Sequence, residues 1–204
     1  MVIDKETYGL TDKNYYPVEF KKRQIVLGNS FSEKNNHIKG WLKREMGEYK
    51  KTSMFTIDRK GKIYQHFDTI NYSDFTNNKS VDKKIISISI ENQGWLNKDL
   101  INDTYFDWVG NIYKRRVKVI EKRWRGFNYW DPYTTKQLNS CVDLISYLCK
   151  EYNIPNKCVG HNTYIDGIEF FEGVLYKSNY FKESTDLSPA WDYKSMKNKI
   201  ENKK

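Results

Sequence analysis

The sequence predicts one domain of the α/β or α+β class, in which a β-sheet packs against helices. Its 204 residues correspond to one domain, or to one domain with a sizeable insertion. Ile85–Ile90 (IISISI) is β-branched and bounded by polar segments, which is typical of a buried strand. Thr134–Tyr152 has the apolar periodicity of a packed helix. Because strands flank this helix along the chain, we expect functional loops at the strand ends.

Three elements are predicted before the Ile85–Ile90 strand. Arg23–Leu27 is a short apolar run that ends at a Gly-Asn-Ser loop, and it predicts a buried strand. His37–Glu45 is weakly helical. Met54–Ile57 and Lys62–Phe67 flank a short turn and predict a β-hairpin, in which Gly61 suits a left-handed position.

The long helix has a defined start and one apolar face. Thr134 and Gln137 have the spacing of a capping box. The apolar face carries Leu138, Cys141, Val142, Ile145, Leu148, Cys149 and Tyr152, so its cysteines are expected to pack in the core. Lys157–Val159 then predicts a short strand, and the Lys-rich tail after Tyr193 is expected to fray.

The composition excludes several classes of protein. Hydrophobic residues make up 38% of the chain and aromatic residues 16%, which is enough for a core and argues against global disorder. No apolar run is long enough for a transmembrane helix, and the N-terminus has no apolar segment typical of a signal peptide. Three cysteines are too few for a disulfide scaffold. We therefore expect a soluble protein that is cytoplasmic on synthesis.

The net charge of +9 has two components. The 28 lysines are spread along the chain, as in a solvated surface, whereas four of the seven arginines lie within Lys114–Arg125. That segment holds seven basic residues against one acid, and four of the six tryptophans lie within Trp95–Trp130. The net charge of +9 favours polyanionic partners such as nucleic acid, anionic cell-wall polymer or anionic lipid.

Three kinds of side chain are candidates for chemistry. Of the three histidines, His37 and His66 are expected to be structural, whereas His161 follows a glycine at a predicted strand end. Glu91 directly follows the IISISI strand, so it is either a solvated strand end or a general base. Asp186 lies in a loop, where its simplest role is to start a turn.

In order along the chain, six segments resemble the zinc-dependent N-acetylmuramoyl-L-alanine amidases of type 2, a group that includes phage lysozyme-type amidases and peptidoglycan recognition proteins. The similarity extends over roughly Gln24 to Tyr193. The segments are IVLGNS (Ile25–Ser30), SMFTIDRKGKIYQ (Ser53–Gln65), SISIEN (Ser87–Asn92), YTTKQLNSCVDLISYL (Tyr133–Leu148), VGHNT (Val159–Thr163) and TDLSPAWD (Thr185–Asp192).

The resemblance implies a zinc-dependent hydrolase. In this family a zinc ion bound by two histidines and a third ligand activates water, and a carboxylate assists in cleaving the amide between muramic acid and L-alanine. His161 matches the histidine of the family's Gly-His motif, and Asp186 matches the aspartate of its Asp-Pro-Gly-Pro motif. Glu91 matches the catalytic glutamate.

The sequence departs from the family pattern at the first zinc histidine, which falls at Gly28 or Asn29. Glycine has no side chain to coordinate zinc, and asparagine is a poor ligand for it. His37 and Asn29 are therefore the further candidates for a third ligand. Ser184 stands where the family often has lysine.

The resemblance also implies the architecture, a single α/β domain with a central mixed sheet flanked by helices. The predicted divisions are an N-terminal extension over 1–22, the amidase-like domain over 23–193 and a Lys-rich tail over 194–204. A basic aromatic insertion over 96–132 is expected beside the substrate groove. The predicted substrate-binding residues are Trp95, Arg123, Trp124, Arg125 and Trp130.

Three functions remain open at this stage. The first is an active peptidoglycan amidase with a rearranged zinc site. The second is a degenerate amidase fold that binds cell wall or a protein partner. The third is a nucleic-acid-binding protein that uses the basic aromatic segment, which is the least favoured because this segment falls where the family has groove loops. A phage lysin or a virion-associated protein, with peptidoglycan and virion proteins as partners, would suit the first two.

Overall fold

A computed structural model of the chain describes residues 1–202 and confirms the α/β class with a central mixed sheet. The strands are β1 (Ile3–Asp4), β2 (Gln24–Asn29), β3 (Phe55–Ile57), β4 (Ile63–Gln65), β5 (Ile85–Ile90), β6 (Trp95–Asp99), β7 (Thr104–Phe106), β8 (Ile120–Trp124), β9 (Phe127–Trp130) and β10 (Gly173–Tyr176). The helices are α1 (Asn36–Trp41), α2 (Lys79–Asp82), α3 (Thr135–Tyr152), α4 (Lys177–Tyr180) and α5 (Tyr193–Glu201).

The main sheet has the strand order β1-β4-β3-β5-β2-β10. Strand β2 lies parallel to β5 on one side and to β10 on the other, and β3 is parallel to β5. Parallel strands end at the same edge of a sheet, so the residues that follow β2, β3, β5 and β10 lie close together. This carboxyl-terminal edge is where a site is expected.

The two faces of the main sheet are covered differently. One face packs against α3 and then α5 through the larger core cluster, which includes Ile25, Leu27, Ile88, Leu144 and Met196. The other face has a smaller cluster around Val26, Phe75 and Leu175. Alternation along β2 places Gly28 on the same face as Val26, away from α3.

Most predicted local elements are confirmed. The hairpin of β3 and β4 is antiparallel, and Gly61 has φ +81° in its turn. Helix α3 begins with the Thr134–Gln137 capping box. The Lys157–Val159 strand is reduced to an isolated bridge between Cys158 and Val174, and β10 instead occupies the place beside β2.

Both predicted terminal segments are part of the fold. The N-terminal residues 1–22 include β1, which pairs in parallel with β4. The prediction that the tail frays after Tyr193 is wrong, because α5 buries Met196 and Ile200 against the core. The end of the predicted tail, residues 203–204, lies outside the described residues. No helix within residues 1–202 is both long and apolar enough to cross a bilayer.

The basic aromatic insertion folds as a second sheet. Its strand order is β7-β6-β9-β8, and all of its pairings are antiparallel. Asp131, just after β9, is fully buried and fixes this sheet to the main one. Its carboxylate accepts hydrogen bonds from Tyr113 Oη at 2.6 Å, from the Gln93 backbone N–H at 2.9 Å and from Arg59 Nη1 at 3.1 Å.

A buried hydrogen-bond chain joins His66 to His37 through Thr56. His66 Nδ1 lies 2.8 Å from the Tyr8 carbonyl oxygen, which only accepts, so Nδ1 carries the proton. His66 Nε2 then accepts from Thr56 Oγ1 at 2.8 Å. Thr56 Oγ1 in turn accepts from His37 Nε2 at 3.2 Å. Burial lowers the pKa of His66 to about 4 and that of His37 to about 3, so both rings are neutral at pH 7.

Replacing Asp131 with alanine is expected to lower the free energy of unfolding by about 3–5 kcal/mol, because Arg59 loses its buried partner. The matched control is Asp103→Ala, which removes a carboxylate 82% exposed that pairs with Lys98. The control should cost less than about 1 kcal/mol. Urea unfolding of both variants measures the difference, and equal losses would contradict the role given to Asp131.

The neutral state of His66 predicts a loss of stability in acid. The unfolded chain binds a proton at His66 below its ordinary pKa of 6.5, whereas the folded chain does so only near pH 4. Between these values the unfolded state holds more protons, so stability falls as the pH falls. Relative to His66→Gln, the wild-type protein should lose about 2–3 kcal/mol between pH 7 and pH 4. Parallel pH profiles of the two proteins would contradict this.

Candidate functional site

A cavity of about 520 Å³ opens at the carboxyl-terminal edge of the main sheet. Asn29 and Ser30 at the end of β2 and Ser89 in β5 form part of its lining. Its aromatic lining residues are Phe31, Trp41, Tyr49, Phe75, Trp95 and Trp108, and its cationic ones are Arg44, Lys51 and Lys177. Among residues 1–202, no aspartate or glutamate lines this cavity. Sugar faces and anionic groups suit such a lining.

Gly28, Lys177 and Asp186 converge beside this cavity, and of the three Lys177 lines it. The pairing of β10 with β2 sets Tyr176 opposite Leu27, so Lys177 comes next to Gly28. A Cβ atom at Gly28 would lie 3.1 Å from Lys177 Cδ and 3.4 Å from Asp186 Oδ2. Phe75 Cζ would lie nearer still, at 2.9 Å, so the Phe75 ring and the lysine stem together fill the space in front of Gly28.

Asp186 is buried and is paired with a cation. Its Oδ2 lies 3.9 Å from Lys177 Nζ. Burial raises the pKa of the Asp186 carboxyl to about 6, although Lys177, the Asn29 backbone N–H and Arg125 each lower it. Lys177 Nζ also lies 4.6 Å from the centre of the Phe75 ring, and 28% of its side chain is exposed. A partly exposed ammonium thus stands between a buried carboxylate and the cavity.

Glu91 lies at the same edge but faces a different cavity. Its Oε1 accepts a hydrogen bond from the Lys34 backbone N–H at 2.9 Å and lies 3.7 Å from Arg115 Nη2. The cavity that it lines, of about 430 Å³, also includes Arg59 and Arg115 but not Asp186 or His161. Burial raises the pKa of Glu91, while Lys34 and Arg115 lower it. The structure does not open Glu91 and Lys177 onto one common cavity.

The structure does not bring His161 to Gly28. The Cys158–Val174 bridge sets the 158–161 segment on the far side of β10 from β2. Its Nε2 lies 3.1 Å from the Leu187 carbonyl oxygen, and its ring stacks on Tyr193 with centroids 5.4 Å apart. Burial lowers the pKa of His161 to about 4. These contacts are those of a packed histidine.

Neither further candidate for a third metal ligand forms a ligand group with Asp186 among residues 1–202. The Nε2 of His37 donates to Thr56, and its buried Nδ1 has no hydrogen-bond partner. The Oδ1 of Asn29 accepts from the Phe31 backbone N–H at 3.0 Å. Asn29 does lie at the cavity, and its backbone N–H faces Asp186, so its role in the site is that of a neighbour of the carboxylate.

The predicted substrate-binding residues lie in three places: at the cavity, in the core and at the end of β8. Trp95 lines the cavity and stacks on Phe127 with ring centroids 4.3 Å apart. Trp130 is fully buried, and its Nε1 donates to the Lys122 carbonyl, so direct contact with a substrate is wrong for this residue. The guanidinium of Arg125 lies over the Trp124 ring.

The two arginines at the end of the β8 strand differ in their surroundings. Arg125 donates to the backbone carbonyl groups of Ser178, Phe181 and Ser184, which lie in the segment that leads to Asp186. It therefore holds the insertion against that segment. Arg123 is exposed and stays a prediction as a binding residue.

The residues at this edge do not fit a zinc ion. A zinc site needs three protein ligands that are uncharged or anionic. Here the expected first histidine falls at Gly28, which has no side chain, or at Asn29, which is a poor zinc ligand, and the ammonium of Lys177 lies beside the Asp186 carboxylate. Across residues 1–202 there is no group of three or more His, Cys, Asp or Glu that could bind a metal.

Sequence reasoning missed Lys177, Arg115 and Asp131. Lys177 follows β10, and only the pairing of β10 with β2 brings it to Gly28. Arg115 belongs to the arginine cluster within Lys114–Arg125. That cluster indicates a binding function, but nothing in it predicts contact with Glu91. Asp131 directly follows the aromatic segment, and no sequence feature marks it as buried.

Comparison with known proteins identifies the family. The sequence profile described as N-acetylmuramoyl-L-alanine amidase matches residues 20–170, so the chain belongs to this amidase family. The solved structure of PlyL is 14% identical, with 98% of this chain and 97% of that chain covered and a TM-score of 0.58. The endolysin amidase LysCS from Clostridium intestinale URNW is 15% identical, with 98% of this chain and 95% of that chain covered and a TM-score of 0.58.

A further solved structure, the PlyG catalytic domain, is 16% identical, with 99% of this chain and 94% of that chain covered and a TM-score of 0.57. At these identities the similarity shows a shared fold. No match is found among curated protein sequences.

The convergence of three side-chain positions predicts that a metal site can be built. The triple variant Gly28→His, Phe75→Ala, Lys177→His would place two imidazoles beside Asp186, and it removes the Phe75 ring and the lysine stem, which a side chain at position 28 would meet at 2.9 and 3.1 Å. We expect about one zinc per chain in this variant and well under one in the wild-type protein, measured by mass spectrometry of the metal. Adding Asp186→Asn should remove the metal again. Stoichiometric zinc in the wild-type protein would contradict this account of the site.

Proposed function

We propose that this protein is a cell-wall-binding member of the amidase family that holds peptidoglycan in the 520 Å³ cavity without zinc-dependent hydrolysis. The observation that carries the proposal is the Lys177–Asp186 pair in front of Gly28. The family membership supports peptidoglycan as the ligand. The aromatic lining of the cavity supports recognition of a sugar.

A second candidate function is hydrolysis of the amide between N-acetylmuramic acid and L-alanine. It is favoured by Glu91, a buried carboxyl of raised pKa at a strand end, as a general base requires. The contacts of Glu91 with Lys34 and Arg115, and its separate cavity, count against this role. Binding of nucleic acid has less support, because Arg125 and Trp130 serve the fold.

The endolysin structures of the same fold support a wall-directed role, as a lysin or a virion component. In that setting the protein would meet the wall of a host cell, and virion proteins would be its partners. The cavity and the insertion sheet lie together at Trp95, so both would face the wall polymer.

Two assays on purified peptidoglycan test the proposal. Cosedimentation should show binding that is weakened at least fivefold by Trp95→Ala, since truncating an aromatic residue in contact with a ligand costs about 1 kcal/mol or more. Trp191→Phe, which changes a buried core residue outside the cavity lining, is the matched control. Release of stem peptide should stay at background, with or without added zinc.

Each outcome of these assays separates the candidates. Release of stem peptide that is lost in Glu91→Gln would establish the hydrolytic function and overturn the proposal. Absence of both cosedimentation and stem-peptide release would reject both functions. Binding without release supports the proposal, and a salt-dependent preference for duplex DNA over peptidoglycan would favour the nucleic-acid function instead.

A further inference from the structure

We propose that Lys177 is the centre of an anion-binding site for the carboxylates of peptidoglycan stem peptides. The inference rests on the proposed function and specifies its ligand. Its basis is the position of Lys177 relative to Gly28, Asp186 and the cavity.

The ammonium group of Lys177 has a defined position beside the cavity. Lys177 Nζ is held on two sides, by Asp186 Oδ2 at 3.9 Å and by the face of the Phe75 ring at 4.6 Å. Neither contact is within hydrogen-bonding distance, so the donors of the ammonium remain available to a ligand. The partial exposure of the side chain leaves them accessible from the cavity.

The lining of the cavity carries positive charge. Arg44 and Lys51 line it together with Lys177, and its lining within the part of the chain that the structure describes includes no carboxylate. His37, also in the lining, is neutral at pH 7 because burial lowers its pKa to about 3. With Asp186 behind Lys177, the cavity presents positive charge to a ligand. An anionic ligand is therefore complementary to it.

The other lining residues of the cavity indicate which class of anion it would bind. Six aromatic residues line the cavity, and its volume of about 520 Å³ suits a sugar joined to a short peptide. Asn29 Nδ2 and His37 Nδ1, both of lining residues, are buried polar atoms without hydrogen-bond partners. A peptide amide offers both an acceptor and a donor for such atoms. Carboxylates on a muramyl peptide combine these features, whereas inorganic phosphate offers only the charge.

Calorimetric titration with N-acetylmuramyl-L-alanyl-D-glutamate tests the inference, with the same compound amidated at both carboxylates as the neutral probe. The wild-type protein should bind the carboxylate probe at least tenfold more tightly than the diamide. Lys177→Met should lose at least tenfold in affinity for the carboxylate probe and change little for the diamide. Lys177→Arg, which keeps the charge, should retain most of the affinity. The control Lys182→Met removes an exposed lysine over Tyr164, outside the cavity lining, and should bind like the wild-type protein.

Two further variants separate the loss of the cation from a disturbed fold, because Lys177→Met leaves Asp186 buried without its partner. Asp186→Asn alone keeps the ammonium and should bind at least as tightly as the wild-type protein. The double variant Lys177→Met, Asp186→Asn removes both charges and should remain at least tenfold weaker. Recovery of wild-type affinity in the double variant would overturn the inference.

The other outcomes are also decisive. Equal affinity of Lys177→Met and wild type for the carboxylate probe, while both proteins cosediment with peptidoglycan, would overturn the inference and leave the proposed function standing. Failure of every probe and of peptidoglycan itself to bind would reject the proposed function. Displacement of the carboxylate probe by millimolar inorganic phosphate alone would show a site for phosphate and contradict the choice of ligand.

Discussion

The parallel alignment of β2 between β5 and β10 determines where the candidate residues lie. It brings the ends of three strands to one edge and sets Lys177 beside Gly28. It also sets the segment of His161 one strand farther away. Neighbouring strands are about 4.8 Å apart, and after that single step the His161 ring contacts the Leu187 backbone carbonyl, whereas the Lys177 ammonium pairs with the Asp186 carboxylate. The chemistry of the site thus follows from strand pairing.

The absence of a side chain at Gly28 and the presence of a long cation at Lys177 form one structural unit. The lysine stem, together with the Phe75 ring, occupies the room that a side chain at position 28 would need. Its ammonium offsets part of the cost of burying Asp186, since a buried carboxylate without a partner is strongly unfavourable. Asp186 can therefore stay buried as a carboxylate because the lysine supplies the neighbouring positive charge.

The insertion sheet supports the site from the other side. The hydrogen bonds of Asp131 fix it to the main sheet through Arg59, and Arg125 binds the backbone of the segment that leads to Asp186. Two arginines from the basic segment are thus committed to the fold, Arg125 in this way and Arg115 beside Glu91. Trp95 is the predicted binding residue of this region that the structure places at the cavity.

The parts of the fold that depend on local sequence could be predicted, and those that depend on distant pairing could not. The capping box of Thr134 and the turn at Gly61 involve residues a few positions apart, so their patterns are sufficient. The Gly-His motif predicts a site role for His161. The strand that pairs with β2 begins twelve residues later, at Gly173, so Lys177 and not His161 comes to lie next to Gly28. The aromatic segment predicts a groove position for Trp130, which is buried in the structure. Composition does not separate these two positions, because aromatic residues are frequent both in cores and in binding sites.

The most direct test of the central claim is a crystal structure determined from crystals grown with zinc, using anomalous scattering at the zinc absorption edge. This account predicts no anomalous peak beside Asp186 and the Lys177 ammonium within about 4 Å of the Asp186 carboxylate, as charge pairing requires. A zinc peak on Asp186 with the Lys177 side chain turned away from it would contradict the account.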